Sequence, residues 1–176
     1  MSSTTSSYAV TVVGRDRPGI IAETTARLAD LGLNLEDSTM TLLRGHFAMM
    51  LICAGDTSET ALVDALAPLA ADGALSVSAR AVPAEQSAAA GGSPYVLTVH
   101  GGDRPGIVSS VVAEVAAVGG NITDLTTRLA GDLYLLIAEF DLPEGVDRSA
   151  LEVAVSASAA TLGVRATVRP ADVDEL

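Results

Sequence analysis

The stretches "GRDRPGII" at residues 14–21 and "GGDRPGIV" at residues 101–108 repeat one phrase 87 residues apart. When residues 8–53 are laid over residues 95–140 without a gap, sixteen positions are identical. Solenoid repeats recur every 20 to 50 residues or so, and a longer period is the size of a small domain. The sequence therefore predicts an internal duplication.

The duplication sets a domain plan for the 176-residue chain. Residues 8–82 are expected to form the first domain and residues 95–170 the second. Residues 83–94, rich in Pro, Gly and small residues, are expected to be a linker. We expect residues 1–7 to be a disordered N-terminus and residues 171–176 to be an acidic tail.

Each copy shows the same order of secondary-structure signals. A β-prone run leads into the repeated phrase and is followed by an amphipathic helix, a strand, a tight turn, a strand, a helix and a last strand. This order is βαββαβ, the ferredoxin-like unit. The predicted class is α+β, with two such domains, each an antiparallel sheet that carries its helices on one face.

The repeated phrase itself resembles a helix start. Pro18 is expected at the first helical position, and Asp16 is close enough to cap free N–H groups. Gly19 would then lie inside the helix, where glycine costs about 1 kcal/mol relative to alanine. Such a glycine suggests that a small polar ligand or a neighbouring loop comes close to the backbone. The second copy repeats these residues as Asp103, Arg104, Pro105 and Gly106.

A ligand at this helix start would meet unpaired N–H groups and a positive dipole. Asp16 and Asp103 could cap the helices or could receive the ammonium group of an amino acid, and the sequence leaves both possibilities open. Asn34 and Asn121 follow the helix, at its far end from the loop. They could contact the loop of a neighbouring copy, or could simply suit the turn after a glycine cap.

Composition excludes several classes of partner. The formal charge is −12, so we expect no direct contact with nucleic acid and no docking on an anionic membrane. The start of the chain has no secretory signal, and Cys53 has no second cysteine to pair with. A cytoplasmic protein is the simplest expectation.

Catalytic and metal signatures are missing from the sequence. The two histidines, His46 and His100, lie at different positions in their copies and lack the spacing of metal ligands. There is no nucleophile elbow, P-loop or dinucleotide fingerprint. We expect no metal site, no cofactor and no enzymatic activity of this chain alone.

The third strand of the first copy is apolar on both faces. Met49 and Leu51 alternate with Met50 and Ile52, so both sides of this strand need cover. We expect the copies to pair with each other or with another subunit, and the protein to be a homo-oligomer.

The segments "VTVVGRDRPGIIAETTARLADLGLNLED" and "LTVHGGDRPGIVSSVVAEVAAVGGNITD" resemble the opening half of ACT domains. The resemblance implies a sensor of a small molecule, most often an amino acid, held where two such domains meet. It implies ligand-binding residues in both copies: Asp16, Arg17, Pro18, Gly19, Ile20 and Asn34, and Asp103, Arg104, Pro105, Gly106, Ile107 and Asn121.

As a tandem pair the chain most resembles the group of glycine cleavage system transcriptional repressors. That resemblance implies regulation of amino-acid metabolism through a protein partner, a metabolic enzyme or a transcription regulator. The alternative is a dimerisation module that needs no ligand and serves as the regulatory subunit of a metabolic enzyme.

Overall fold

The structure is a computed structural model that describes residues 6–83 and 92–171. Residues 1–5, 84–91 and 172–176, which hold most of the predicted N-terminus, linker and tail, lie outside the described residues. The chain divides into two compact units, Met1–Ser87 and Ala88–Leu176. Each unit contains one copy of the repeat.

Both units have the order βαββαβ, which confirms the predicted fold class. Unit 1 consists of β1 (Ser6–Arg15), α1 (Ile20–Asp30), β2 (Asn34–Leu43), β3 (His46–Gly55), α2 (Glu59–Leu66), a 3-10 helix (Ala67–Ala70) and β4 (Leu75–Val82). Unit 2 consists of β5 (Gly92–Gly102), α3 (Ile107–Ala117), β6 (Asn121–Ala130), β7 (Leu133–Pro143), α4 (Arg148–Thr161) and β8 (Val164–Pro170). Pro68 ends α2 early because a proline inside a helix lacks the N–H donor.

The first strand of each repeat lies inside its sheet. The strand orders are β2-β3-β1-β4 and β6-β7-β5-β8, and all neighbours are antiparallel. Val12 of β1, for example, is opposite Met49 on one side and Val77 on the other. The loop that follows β1 or β5 therefore leaves from the middle of the sheet, while β2 and β6 form edges.

Each unit has its own aliphatic core between the sheet and the helices. In unit 1, Tyr8, Val10 and Val12 alternate inward along β1 and are at most 3% exposed. Thr24 of α1 is fully buried, and its hydroxyl donates to the Ile20 carbonyl over 2.8 Å, which satisfies it. The core of unit 2 is built from the corresponding faces of β5, β7, α3 and α4.

Two glycines let the edge strand approach the end of the central strand. A Cβ on Gly14 would lie 2.2 Å from the Ala74 carbonyl oxygen, and one on Gly101 would lie 2.7 Å from Cγ1 of Val164. Both distances are too short for real Cβ contacts. The repeated glycine before the phrase is thus required by the close approach of β4 or β8.

The helix start differs from the sequence prediction. Helix α1 begins at Ile20, and Gly19 precedes it as the N-cap residue with φ +92°. Gly106 does the same before α3 with φ +94°. Because glycine tolerates positive φ at little cost, the turn itself explains this residue. Pro18 therefore precedes the helix and does not begin it, and Pro105 stands in the same place.

Of the two possibilities for Asp16 and Asp103, a helix cap or a ligand contact, the described residues show no cap. Among the described residues, no side chain caps α1 or α3, and the N-cap residue of each helix is a glycine. The second helices do have caps. Ser58 accepts a hydrogen bond from the Ala61 N–H, and Asp147 accepts from the N–H groups of Ser149 and Ala150.

The strands extend further than predicted at two places. Strand β1 begins at Ser6, so Ser6 and Ser7 lie in the sheet and not in a disordered N-terminus. Strand β5 begins at Gly92, inside the segment predicted as linker. The reason is that the partner strands are long enough to pair: Ser6 is opposite Gly55, and Gly92 is opposite Pro143.

We expect Gly101→Ala to lower the free energy of unfolding by about 1–3 kcal/mol, because the added methyl overlaps Val164. Gly102→Ala is the matched control, since a Cβ there meets nothing within 4 Å and its φ is not in the left-handed region. Urea denaturation of both variants measures the difference. Equal stabilities would show that the strands separate freely at this point.

We expect Asp147→Ala to destabilise the protein by about 1 kcal/mol, through loss of the α4 cap. Asp103→Ala should leave stability within about 0.5 kcal/mol of wild type, as a surface substitution that removes no cap. Thermal unfolding of the two variants decides the matter. A loss at Asp103 as large as that at Asp147 would restore its capping role.

Candidate functional site

The repeated loops lie at one end of each sheet, beside the turn between the second and third strands. In unit 1 the Asp16 N–H donates to the Gly45 carbonyl over 3.0 Å, and the Arg15 N–H donates to the Ala74 carbonyl over 3.0 Å. These bonds hold the loop against two neighbouring segments. Asp16, Pro18 and Gly19 are exposed, as are their counterparts in unit 2.

The start of each first helix presents unpaired backbone donors. The first N–H groups of an α-helix have no partner within the helix, and no side chain of the described ranges caps α1 or α3. There is room for a Cβ at Gly19, because its nearest neighbour would be Oε1 of Glu23 at 3.6 Å. Lack of space therefore does not explain the glycine. The positive φ angle demands it, and that angle turns the loop away from the helix axis.

Arg17 forms a two-pronged ion pair with Glu23. Its Nη1 donates to Oε1 over 3.0 Å and its Nη2 to Oε2 over 2.8 Å, while Nη1 also donates to the Pro18 carbonyl over 3.3 Å. This hydrogen bonding raises the pKa of Arg17 and lowers that of Glu23. Both groups are therefore charged throughout the neutral range.

Arg104, the counterpart of Arg17, has a different environment. The alignment of the two copies places Ser110 where Glu23 stands in unit 1. The guanidinium of Arg104 lies beside Gly163, with its carbon 3.9 Å from the position of a Cβ there. Within residues 6–83 and 92–171, no ion pair involves Arg104.

Ile20 and Ile107 have their side chains in the cores. Each is 2% exposed and packs among the other buried residues of its unit. These side chains fix the start of the helix, and only their backbone groups face the loop. The family resemblance could not distinguish a core residue from a ligand-binding residue here, because the motif contains an isoleucine at this position in either case.

Asn34 and Asn121 lie at the opposite end of the sheet from their own loop. Asn34 is opposite Ala54, whereas the loop end of β3 is at Phe47, about 23 Å away at 3.3 Å per residue. Asn121 is opposite Asp141 in the same way. Within a unit the structure therefore brings together the loop residues but not the asparagine.

Sequence reasoning missed a depression on the open face of the unit 1 sheet. It has a volume of about 320 Å³ and is lined by Ser7, Glu36, Asp37, Ile52, Val82 and Pro83. The register shifts between Leu35 and Asp37, so Glu36 is the extra residue of a β-bulge. The same shift occurs between Ile122 and Asp124, and the repeated Asn-x-x-Asp spacing is the sequence signal for it.

Cys53 is not a reactive thiol, and the described residues form no metal site. Cys53 is fully buried, its thiol points to the Tyr8 carbonyl at 3.8 Å, and burial raises the pKa of this thiol. A thiol with a raised pKa is a poor nucleophile. In the part of the chain that the structure describes, no group of three or more His, Cys, Asp or Glu side chains could hold a metal ion.

None of the helices in the described ranges has both the length and the apolar character to cross a membrane.

Comparison with known proteins gives a consistent picture. The sequence profile of the ACT domain matches residues 8–80 and 93–169. The glycine cleavage system transcriptional repressor of Escherichia coli is 25% identical over 167 residues, which cover 90% of this chain and 87% of that protein. A crystal structure of an unknown protein from Galdieria sulphuraria has a TM-score of 0.77 and 28% identity, covering 95% of this chain and 99% of the other.

Shorter relatives match one part of the chain. The UPF0237 protein SMU_72 of Streptococcus mutans is 44% identical over 50 residues, which are 28% of this chain. The match spans 57% of the length of that relative. Since the profile of the family matches both repeats and the observed βαββαβ units agree with it, the chain belongs to the ACT domain family and carries two ACT domains in tandem.

Proposed function

We propose that the protein is a non-catalytic regulator that binds an amino acid through its DRPG loops and acts on amino-acid metabolism through a partner protein. The observation that carries the proposal is that both loops present an exposed aspartate beside an uncapped helix start. Membership of the ACT domain family supports it, since that resemblance implies a small-molecule sensor.

The charges of the loop match those of a free amino acid. No hydrogen bond from the described residues reaches the carboxylate of Asp16 or Asp103, so each is available to an ammonium group. The uncapped N–H groups and the positive helix end suit a carboxylate. A ligand with both charges can satisfy the two halves of the loop at once.

The positions of Asn34 and Asn121 suggest a ligand site built from two copies of the repeat. Each lies at the far end of its own sheet, so it can share a ligand only with a loop of a different copy. We place the ligand between copies of the repeat, within one chain or between the chains of a homo-oligomer.

The partner is expected to be a protein in the cytoplasm. The charge of −12 opposes direct contact with DNA, and the relative from Escherichia coli is named a glycine cleavage system transcriptional repressor. A regulator that does not touch DNA has to act through an enzyme or a second regulator.

A second candidate is an interaction module that needs no ligand. All ten residues of β2 are exposed, among them Met40 at 47%, Leu42 at 50% and Leu43 at 53%. A long apolar edge strand is a template for pairing with another chain. This surface supports the homo-oligomer under either candidate function.

Calorimetry with the twenty amino acids tests the leading proposal. We expect at least one to bind, and Asp16→Asn with Asp103→Asn to weaken it roughly 10- to 100-fold, since a hydrogen bond to a charged group contributes about 1.5–3 kcal/mol. Asp30→Asn, at the other end of α1, is the control and should bind as wild type. Failure of every amino acid to bind at millimolar concentration would contradict the proposal.

Sedimentation tests the edge-strand surface. We expect the wild-type chain to be an oligomer and Met40→Lys with Leu42→Lys to shift it towards monomer, because charge on an edge strand opposes pairing. Val153→Lys on α4, where Val153 is 70% exposed, is the matched control and should leave the oligomer intact. If the wild-type chain is a monomer at high concentration, β2 is not an oligomer contact.

A further inference from the structure

The two loops have similar backbone conformations but differ in the charged side chains around their arginine. Arg17 donates to both carboxylate oxygens of Glu23, at 3.0 Å and 2.8 Å, and this occupies the end-on face of the guanidinium, formed by Nη1 and Nη2. The two side chains are 35% and 47% exposed, so the pair lies where a solute could reach it.

A second acid adds to the difference. Asp72, in the turn before β4, also acts on Arg17, and this attraction contributes to the raised pKa of that arginine. The corresponding turn of unit 2, before β8, consists of Leu162 and Gly163 and has no acid. Arg17 thus has one ion-pair partner, Glu23, and a weaker attraction to a second acid.

Arg104 lacks both of these partners. Ser110 replaces Glu23, and the side chain of Ser110 is too short to reach across the loop as Glu23 does. The guanidinium lies over the backbone at Gly163, exposed to solvent and without an ion pair among the described residues. Its two-pronged donor face is available to a carboxylate.

We propose that the two loops are unequal sites: Arg104 of unit 2 binds the carboxylate of the ligand beside the helix N–H groups, whereas Glu23 holds Arg17 of unit 1 and keeps it from serving the ligand in the same way. This inference rests on the proposed function and names which loop accepts the acidic end of the ligand. Glu23 acts through Arg17 and is a positioning residue. A carboxylate that approached Arg17 end-on would first have to displace Glu23.

The ten basic residues of the chain are all arginines, so arginine side-chain NMR reports on every one of them. The probe is acetate, added to the full chain at constant ionic strength, with acetamide as the uncharged control. We expect the Nε–H signal of Arg104 to shift with acetate and that of Arg17 to stay in place. Before any acetate is added, the guanidinium of Arg17 should rotate more slowly than that of Arg104, because Arg17 is held by its ion pair with Glu23.

Exchange of one residue between the repeats tests the role of Glu23. Glu23→Ser should release Arg17 and give it an acetate-dependent shift as large as that of Arg104. Ser110→Glu should pair with Arg104 and remove its shift. Glu152→Ser is the matched control, because it removes the other observed ion pair, with Arg148, and the same charge without touching a loop.

Equal responses of Arg17 and Arg104 in the wild type, or no response of Arg17 in Glu23→Ser, would overturn the inference. These results are separable from those of the amino-acid screen. If an amino acid binds equally well to Arg104→Ala and to Arg17→Ala, the proposed function stands and the proposed difference between the two loops is wrong. If no amino acid binds but the acetate pattern holds, the proposed function fails and the difference between the loops stands.

Discussion

The central position of the first strand in each repeat is the constraint on which the rest of the structure depends. Strands β1 and β5 are hydrogen-bonded on both sides, so their ends cannot drift and the following loop leaves from a fixed point. Gly14 and Gly101 permit the edge strand to approach there, and the positive φ of Gly19 and Gly106 turns the chain into the helix. The geometry of the loop follows from these four glycines and the two neighbouring strands.

That geometry separates the aspartate of the loop from the helix that follows. The carboxylate of this aspartate accepts no hydrogen bond from the described residues, so it is available to a ligand. A motif that resembles a helix start is for this reason a candidate binding site. The asparagine at the far end of the sheet cannot serve the same ligand within one unit, because about 23 Å of strand lies between them. Within one unit, the loop and the asparagine therefore cannot contact the same small ligand.

Much of the fold could be predicted from the sequence, because the duplication aligns two independent examples of one pattern. The order of elements and the family resemblance both follow from it. The start of α1 could not be predicted, because Asp-Arg-Pro-Gly fits both a proline at the first helical position and a glycine turn before it. Only the φ angle of Gly19 separates the two. The pair of Arg17 and Glu23 depends on that turn as well, since these residues are six apart and meet only when the loop folds back.

The most direct measurement is backbone NMR of the full chain during titration with the amino acid that binds most tightly. We expect the amide of Gly19 or Gly106 and the side-chain amide of Asn34 or Asn121 to shift together, with one affinity, because in the proposed function one ligand contacts the loop of one copy and the asparagine of another. Shifts confined to the depression at Glu36 and Asp37, or absent from both the loops and the asparagines, would contradict it.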